Sequence, residues 1–178
     1  MTAPPDYAAY YAAALPPADY MAGAQKNREL WAAVYRGARV EPAALVRAVA
    51  LPGLRHLLVI SEDWCGDAVN SVPVVARLAD LTPGLDLRVL ARDEHPALMD
   101  AHLTNGTRSI PIVVALDDGF TPLGAWGPRP AELQRWVLGP GQALEKEARY
   151  KEVRRWYARD RGRAIVDEVL DVLERVPR

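Results

Sequence analysis

Cys65 is the only cysteine in a chain of 178 residues, so no internal disulfide can form and no thiolate cluster can hold zinc. What remains is the chemistry of one free thiol. It lies in SEDWCGD, after the apolar run HLLVI at 56–60 and before a segment at 66–80. In that segment Val69, Val72, Val75, Ala76 and Ala79 recur at helical intervals around Pro73. A buried strand, a short turn and a helix start would place the sulfur beside unpaired backbone N–H groups and the positive end of the helix dipole, which favours the nucleophilic thiolate. Gly66 would leave the thiol uncovered, and Trp64 would supply a flat apolar wall for a substrate. Asp67 works against the dipole: its carboxylate suits a helix start but opposes a thiolate nearby, and Glu62 and Asp63 add negative charge. Asp67 reads equally well as a proton shuttle or ligand-bonding group and as a cap for Val69 or Asn70.

The elements needed to position this thiol can be read around it. Pro83-Gly84 breaks the chain before LDLRVLA at 85–91, so strands 56–60 and 85–91 with the intervening helix form a βαβ unit whose right-handed crossover makes the strands parallel. A helix at 95–104 stops at Asn105-Gly106. IPIVVAL at 110–116 then reads as a strand, and the Asp118-Gly119 turn returns the chain antiparallel through 121–126. The sheet is therefore mixed. Upstream, 18–36 reads as one helix with a stripe of Tyr20, Ala24, Leu30, Trp31, Val34 and Tyr35, and 42–50 as another. The stretch before residue 18 is rich in Ala and Tyr and broken by Pro4, Pro5, Pro16 and Pro17. Downstream, 130–138, 142–160 and 162–176 read as helices, the last with an apolar face of Ile165, Val166, Val169, Leu170 and Leu173.

WCGD at 64–67 resembles the WCGPC active site of thioredoxins. Two further matches follow in that superfamily's order: Ile110-Pro111, resembling its cis-proline, and Gly124-Ala125, resembling the pair that lines its substrate groove. More narrowly, WCGD with SVPV, ARDEHP, RSIP and WGPRP resembles a bacterial branch of thioredoxin-like proteins. The resemblance implies an α/β thioredoxin-like fold, a mixed sheet flanked by helices. Its core would span 55–138, with helical extensions at 1–54, packed on that core, and at 139–178. It also implies that Cys65 is the nucleophile, with Trp64, Gly66, Asp67, Ile110, Pro111, Gly124 and Ala125 about the substrate. A cis Pro111 beside the cysteine would remove a backbone donor and expose the backbone of Ile110.

Two positions depart from thioredoxin. Ala68 stands where the resolving cysteine would be, and Val59 where a buried aspartate assists the resolving step. Intramolecular resolution is thus excluded. The resemblance then implies a monothiol protein in which Cys65 attacks a disulfide or oxidised thiol, on a protein or a small molecule, and an external low-molecular-weight thiol or a partner protein releases the mixed disulfide. Two other readings stand beside it: a non-catalytic thioredoxin-fold binding module, and a thiol transferase of the cysteine type.

The remaining features point elsewhere. A net charge of −1 with half the residues hydrophobic describes a globular chain without a field-driven partner. The first twenty residues lack a basic n-region and no apolar run spans a bilayer, so the expectation is a cytoplasmic protein without membrane contact. RYKEVRRWYARDRGR at 149–163 mixes basic and aromatic residues but reads as a solvated helix face rather than a nucleic-acid surface. His56, His95 and His102 lack metal spacing. In WGPRP, Arg129 could meet an anion, but the simpler use of this stretch is to end a strand and set Pro130 at the start of a helix.

Overall fold

In the computed structural model, residues 4–175 are described. The run around HLLVI becomes the central strand β1 (Arg55–Ser61), buried on both faces as its near-continuous apolar sequence demands. It pairs in parallel with β2 (Leu85–Ala91) and antiparallel with β3 (Ile112–Leu116), which pairs antiparallel with β4 (Pro122–Trp126). The order is β2-β1-β3-β4. The crossover between β1 and β2 is α5 (Gly66–Asp80), whose Ala68, Val69, Ser71 to Ala76, Leu78 and Ala79 are all buried. Such a helix has almost no solvated face, because it is sandwiched between the sheet and further helices.

Those helices come from both ends of the chain: α3 (Arg28–Gly37) packs on α5, and α9 (Arg163–Leu173) packs on α5, β3 and β4. The stripe of Ile165, Val166, Val169, Leu170 and Leu173 is 0–2% exposed. At about 1.5–3 kcal/mol for each large apolar side chain removed from water, it holds α9 in place. Buried residues from Tyr7 to Leu173 form one apolar cluster, so the terminal segments share the core of the sheet. Arg47 of α4 (Pro42–Val49) reaches Asp167, Asp171 and Glu174 along α9.

Several elements differ from the sequence reading. The helix expected over 18–36 is two, α2 (Pro17–Gly23) and α3. Between them Asn27 has φ 54°, and the Asp63 carboxylate accepts from the N–H groups of Gln25 and Lys26 at 2.6 and 2.9 Å. A tertiary contact thus breaks a stripe that local spacing leaves continuous. The Ala/Tyr stretch forms α1 (Tyr7–Ala13), capped by Asp6, and Leu15 then exchanges backbone hydrogen bonds with Val89 on the β2 edge. The helix expected over 95–104 is only α6 (Pro96–Asp100), since Thr104 and Thr107 pair backbone to backbone. The third strand starts at Ile112, after a cis Ile110–Pro111 bond. Downstream, α7 (Ala131–Leu138) matches its expected range, whereas 142–160 divides into a 3-10 turn and α8 (Lys146–Asp160). The helix expected over 162–176 is α9, which ends at Leu173 with Glu174 as its C-cap, and residue 176 lies outside the described residues.

Candidate functional site

Cys65 is the residue at which β1's turn becomes α5, and it occupies the N-cap position. Its Sγ lies 3.5 Å from the Ile110 carbonyl oxygen, to which the thiol donates. The sulfur therefore faces the segment that precedes β3, with Pro111 in the cis form. Cys65 is 9% exposed, at the floor of an open cleft of about 940 Å³. The expectation of a thiol left uncovered by Gly66 needs correction, and burial decides the balance that the helix start and the nearby carboxylates left open. Gly66 is open to solvent, but burial of the sulfur pushes the Cys65 pKa up. The Asp67 charge adds to the rise, while the Ala68 and Asp67 N–H groups and the Arg129 charge oppose it. Desolvation outweighs the helix start.

Asp67 does not cap the helix. Its Oδ2 meets Arg129 Nη2 at 2.7 Å and its Oδ1 accepts from the Tyr157 hydroxyl at 2.9 Å. The Asp67 side chain is 11% exposed. Burial raises its pKa, against the opposing pull of Arg129 and Tyr157. Three separate elements thus meet beside the nucleophile: the first turn of α5, the segment after β4, and α8. Arg129, which the sequence reading gave a structural role in WGPRP, belongs to this group. Tyr157 was missed, because nothing in a helical spacing shows that one tyrosine of α8 reaches back to residue 67.

Glu62 and Asp63 are engaged elsewhere. The Asp63 carboxylate holds the α2–α3 junction, its carbonyl accepts from Trp31 Nε1, and Glu62 accepts from the Asp93 N–H. Trp64 is 49% exposed and carries the Arg92 guanidinium over its ring at 5.1 Å. Arg92 also donates to the Arg108 carbonyl, and Arg108 grips Asp100 through two hydrogen bonds. These contacts brace the wall that leads to Ile110.

Gly124 and Ala125 are not in the cleft. They lie in β4, where a Cβ on Gly124 would come within 2.7 Å of Arg175 Nη1 and 3.1 Å of Val172 Cγ1. Gly124 faces α9 and Arg175. The glycine that closes on Pro111 is Gly127: at φ +122°, its added Cβ would sit 2.2 Å from the Pro111 carbonyl oxygen. A glycine two residues after the expected pair was the available signal. The solvated-face reading of α8 also changes, since Arg149, Tyr150, Val153 and Arg154 line the cleft. Among the described residues, no group of three or more His, Cys, Asp or Glu could hold a metal, and no helix is long and apolar enough to cross a membrane.

Parallel β1 and β2, antiparallel β3 and β4, and a cysteine at the start of α5 facing a cis-proline define a thioredoxin-like fold. The chain belongs to a thioredoxin family, whose model matches residues 14–154. Two solved structures share the fold. A Pseudomonas aeruginosa protein of unknown function is 20% identical, with a TM-score of 0.78 over 96% of this chain and 98% of its own. An HIV epitope scaffold is 18% identical, with a TM-score of 0.76 and the same coverage of 96% and 98%. No curated protein matches the sequence.

Proposed function

We propose that this thioredoxin-family protein carries out thiol–disulfide exchange through Cys65 alone. The observation that supports this reading is the placement of Cys65 Sγ against the Ile110 carbonyl at the base of the cleft. The Ile110 N–H makes no backbone hydrogen bond among the described residues, which leaves it for a substrate backbone. Ile110 and Pro111 then position the substrate, and Trp64, Gly66 and Asp67 surround the sulfur. Gly124 and Ala125 lie in β4 outside the lining of this cleft, and the reading assigns them no role.

In the first step the Cys65 thiolate attacks one sulfur of a substrate disulfide. The S–S bond breaks, a mixed disulfide forms, and the other substrate sulfur leaves as a thiolate that takes a proton. Ala68 cannot resolve this adduct. An external low-molecular-weight thiolate attacks the substrate sulfur, Cys65 leaves as a thiolate, and the external sulfur ends in a new disulfide. One S–S bond breaks for each that forms, so electrons balance. The test is mass spectrometry after incubation with a small disulfide at alkaline pH. One adduct on Cys65 that an added thiol removes is expected; no adduct where the thiolate is populated overturns the reading.

A second reading, a binding module with an idle thiol, is favoured by the raised Cys65 pKa and by the fully buried Ala68 and Val59. Partner capture that persists in Cys65→Ser supports it, and capture lost with that substitution counts against it.

A further inference from the structure

The cleft over Cys65 is far more cationic than the chain. The protein has a net charge of −1, yet Arg92, Arg108, Arg129, Arg149 and Arg154 line the cleft against one carboxylate, Asp67. Three of these arginines are already matched: Arg92 by Asp93, Arg108 by Asp100, and Arg129 by Asp67. Arg149 and Arg154 have no carboxylate within ion-pair distance among the described residues. Arg149 with Val153 and Tyr150 with Arg154 are i,i+4 neighbours on α8, and all four line the cleft. Val153 is buried, and Tyr150 remains 48% exposed. This stretch of α8 combines an apolar strip with two uncommitted guanidinium groups, a combination suited to carboxylates on a short apolar stem.

We infer that this cleft selects an acidic polypeptide segment around the partner's cysteine, with Arg149 and Arg154 of α8 as the specificity-determining residues. The inference rests on the exchange reading above. Cationic groups stand on separate elements: α8 on one side, and the turn after β2 and the loop before β3 on the other. The volume of about 940 Å³ lies near the upper end of small-ligand sites, and the cleft is open rather than enclosing. An extended chain with Asp or Glu on both sides of its cysteine could meet both walls while its sulfur reaches the floor. Long-range attraction of this kind raises the association rate and weakens with salt.

The test uses short labelled peptides with one cysteine flanked by glutamates or by lysines, activated as the 2-pyridyl disulfide. Attack by Cys65 on the peptide sulfur releases pyridine-2-thione, which is read by absorbance. Serine versions of the same peptides report binding by anisotropy. The glutamate peptide is expected to react roughly tenfold faster at low salt, with the difference collapsing at high salt. In Arg149→Glu/Arg154→Glu, with folding checked by circular dichroism, the preference should vanish or invert. Equal rates for both peptides overturn the inference. So does displacement of the acidic serine peptide by a single-stranded oligonucleotide or a small dicarboxylate at matching affinity. If the acidic serine peptide binds with the expected charge dependence but neither activated peptide labels Cys65, the recognition stands and the exchange reading falls.

Discussion

The Arg129 guanidinium meets the Asp67 carboxylate at 2.7 Å, joining the segment after β4 to the first turn of α5 just beyond the thiol. With the Tyr157 hydroxyl on the other carboxylate oxygen, this pair fixes the wall of the cleft to the helix that carries Cys65. Removing the cation strands a charge that is nearly out of water. Arg129→Gln is expected to lose about 2–3 kcal/mol in denaturant unfolding, below the range for a fully buried pair because Arg129 keeps some contact with solvent. Unchanged stability would mean that the pair behaves as a surface contact.

The raised Cys65 pKa sets a pH dependence. Its alkylation by iodoacetamide should be slower at neutral pH than that of an unperturbed cysteine, and should still be rising where an unperturbed thiol has begun to level off. The same shift has a stability consequence of definite sign. As pH rises above the unfolded-state pKa, the unfolded chain releases a proton that folded Cys65 retains, so stability falls. A rate plateau below pH 8 would contradict this placement of the sulfur.

Asp67 raises the Cys65 pKa by its charge. Asp67→Asn keeps the size and a hydrogen-bonding oxygen for Tyr157, and leaves Arg129 uncompensated beside the thiol. Alkylation at pH 7 should become about three- to tenfold faster, measured as a second-order rate. A slower rate would show instead that the carboxylate takes the thiol proton.

Tyr157→Phe removes the hydroxyl that donates to Asp67 at 2.9 Å and leaves the ring in its buried site. A cost of about 1–2 kcal/mol is expected, because the lost partner is charged. Limited proteolysis within α8 should quicken if this bond anchors the helix, and an unchanged digestion pattern would assign the anchoring to Val153 and Trp156.

Gly127 and Gly66 make a matched pair of substitutions. A Cβ at residue 127 would fall 2.2 Å from the Pro111 carbonyl oxygen at a left-handed φ, so Gly127→Ala should cost about 3 kcal/mol or more. At residue 66 a Cβ meets nothing within 4 Å, and Gly66→Ala should change stability by less than about 1 kcal/mol. Thermal unfolding of the two variants checks both.

Much of the fold is legible in the order of residues. HLLVI reads as a buried strand because it has no polar alternation, and Val69, Val72, Val75 and Ala76 read as helix because their spacing repeats with the helical turn. The 18–36 stripe fails for a definable reason: it records a preference for burial on one side, and Asp63 decides that the chain must turn at Gln25 and Lys26. Gly124-Ala125 fails similarly. A strand pattern fixes alternation but not which neighbour covers each side, and α9 covers Gly124.

The sequence by itself determined that one thiol stands between a strand and a helix, that no second cysteine can resolve it, and that a proline begins a strand farther along. These are local or compositional facts, and a single chain carries them openly. Only tertiary structure decided that desolvation outweighs the N–H groups of the helix start at Cys65, that Asp67 turns from the helix end to Arg129 and Tyr157, and that α8 brings its arginines to the cleft. Those outcomes depend on distances between residues far apart in the chain and on how much water is left between them. Charge and burial act through space, and the order of residues does not record that space.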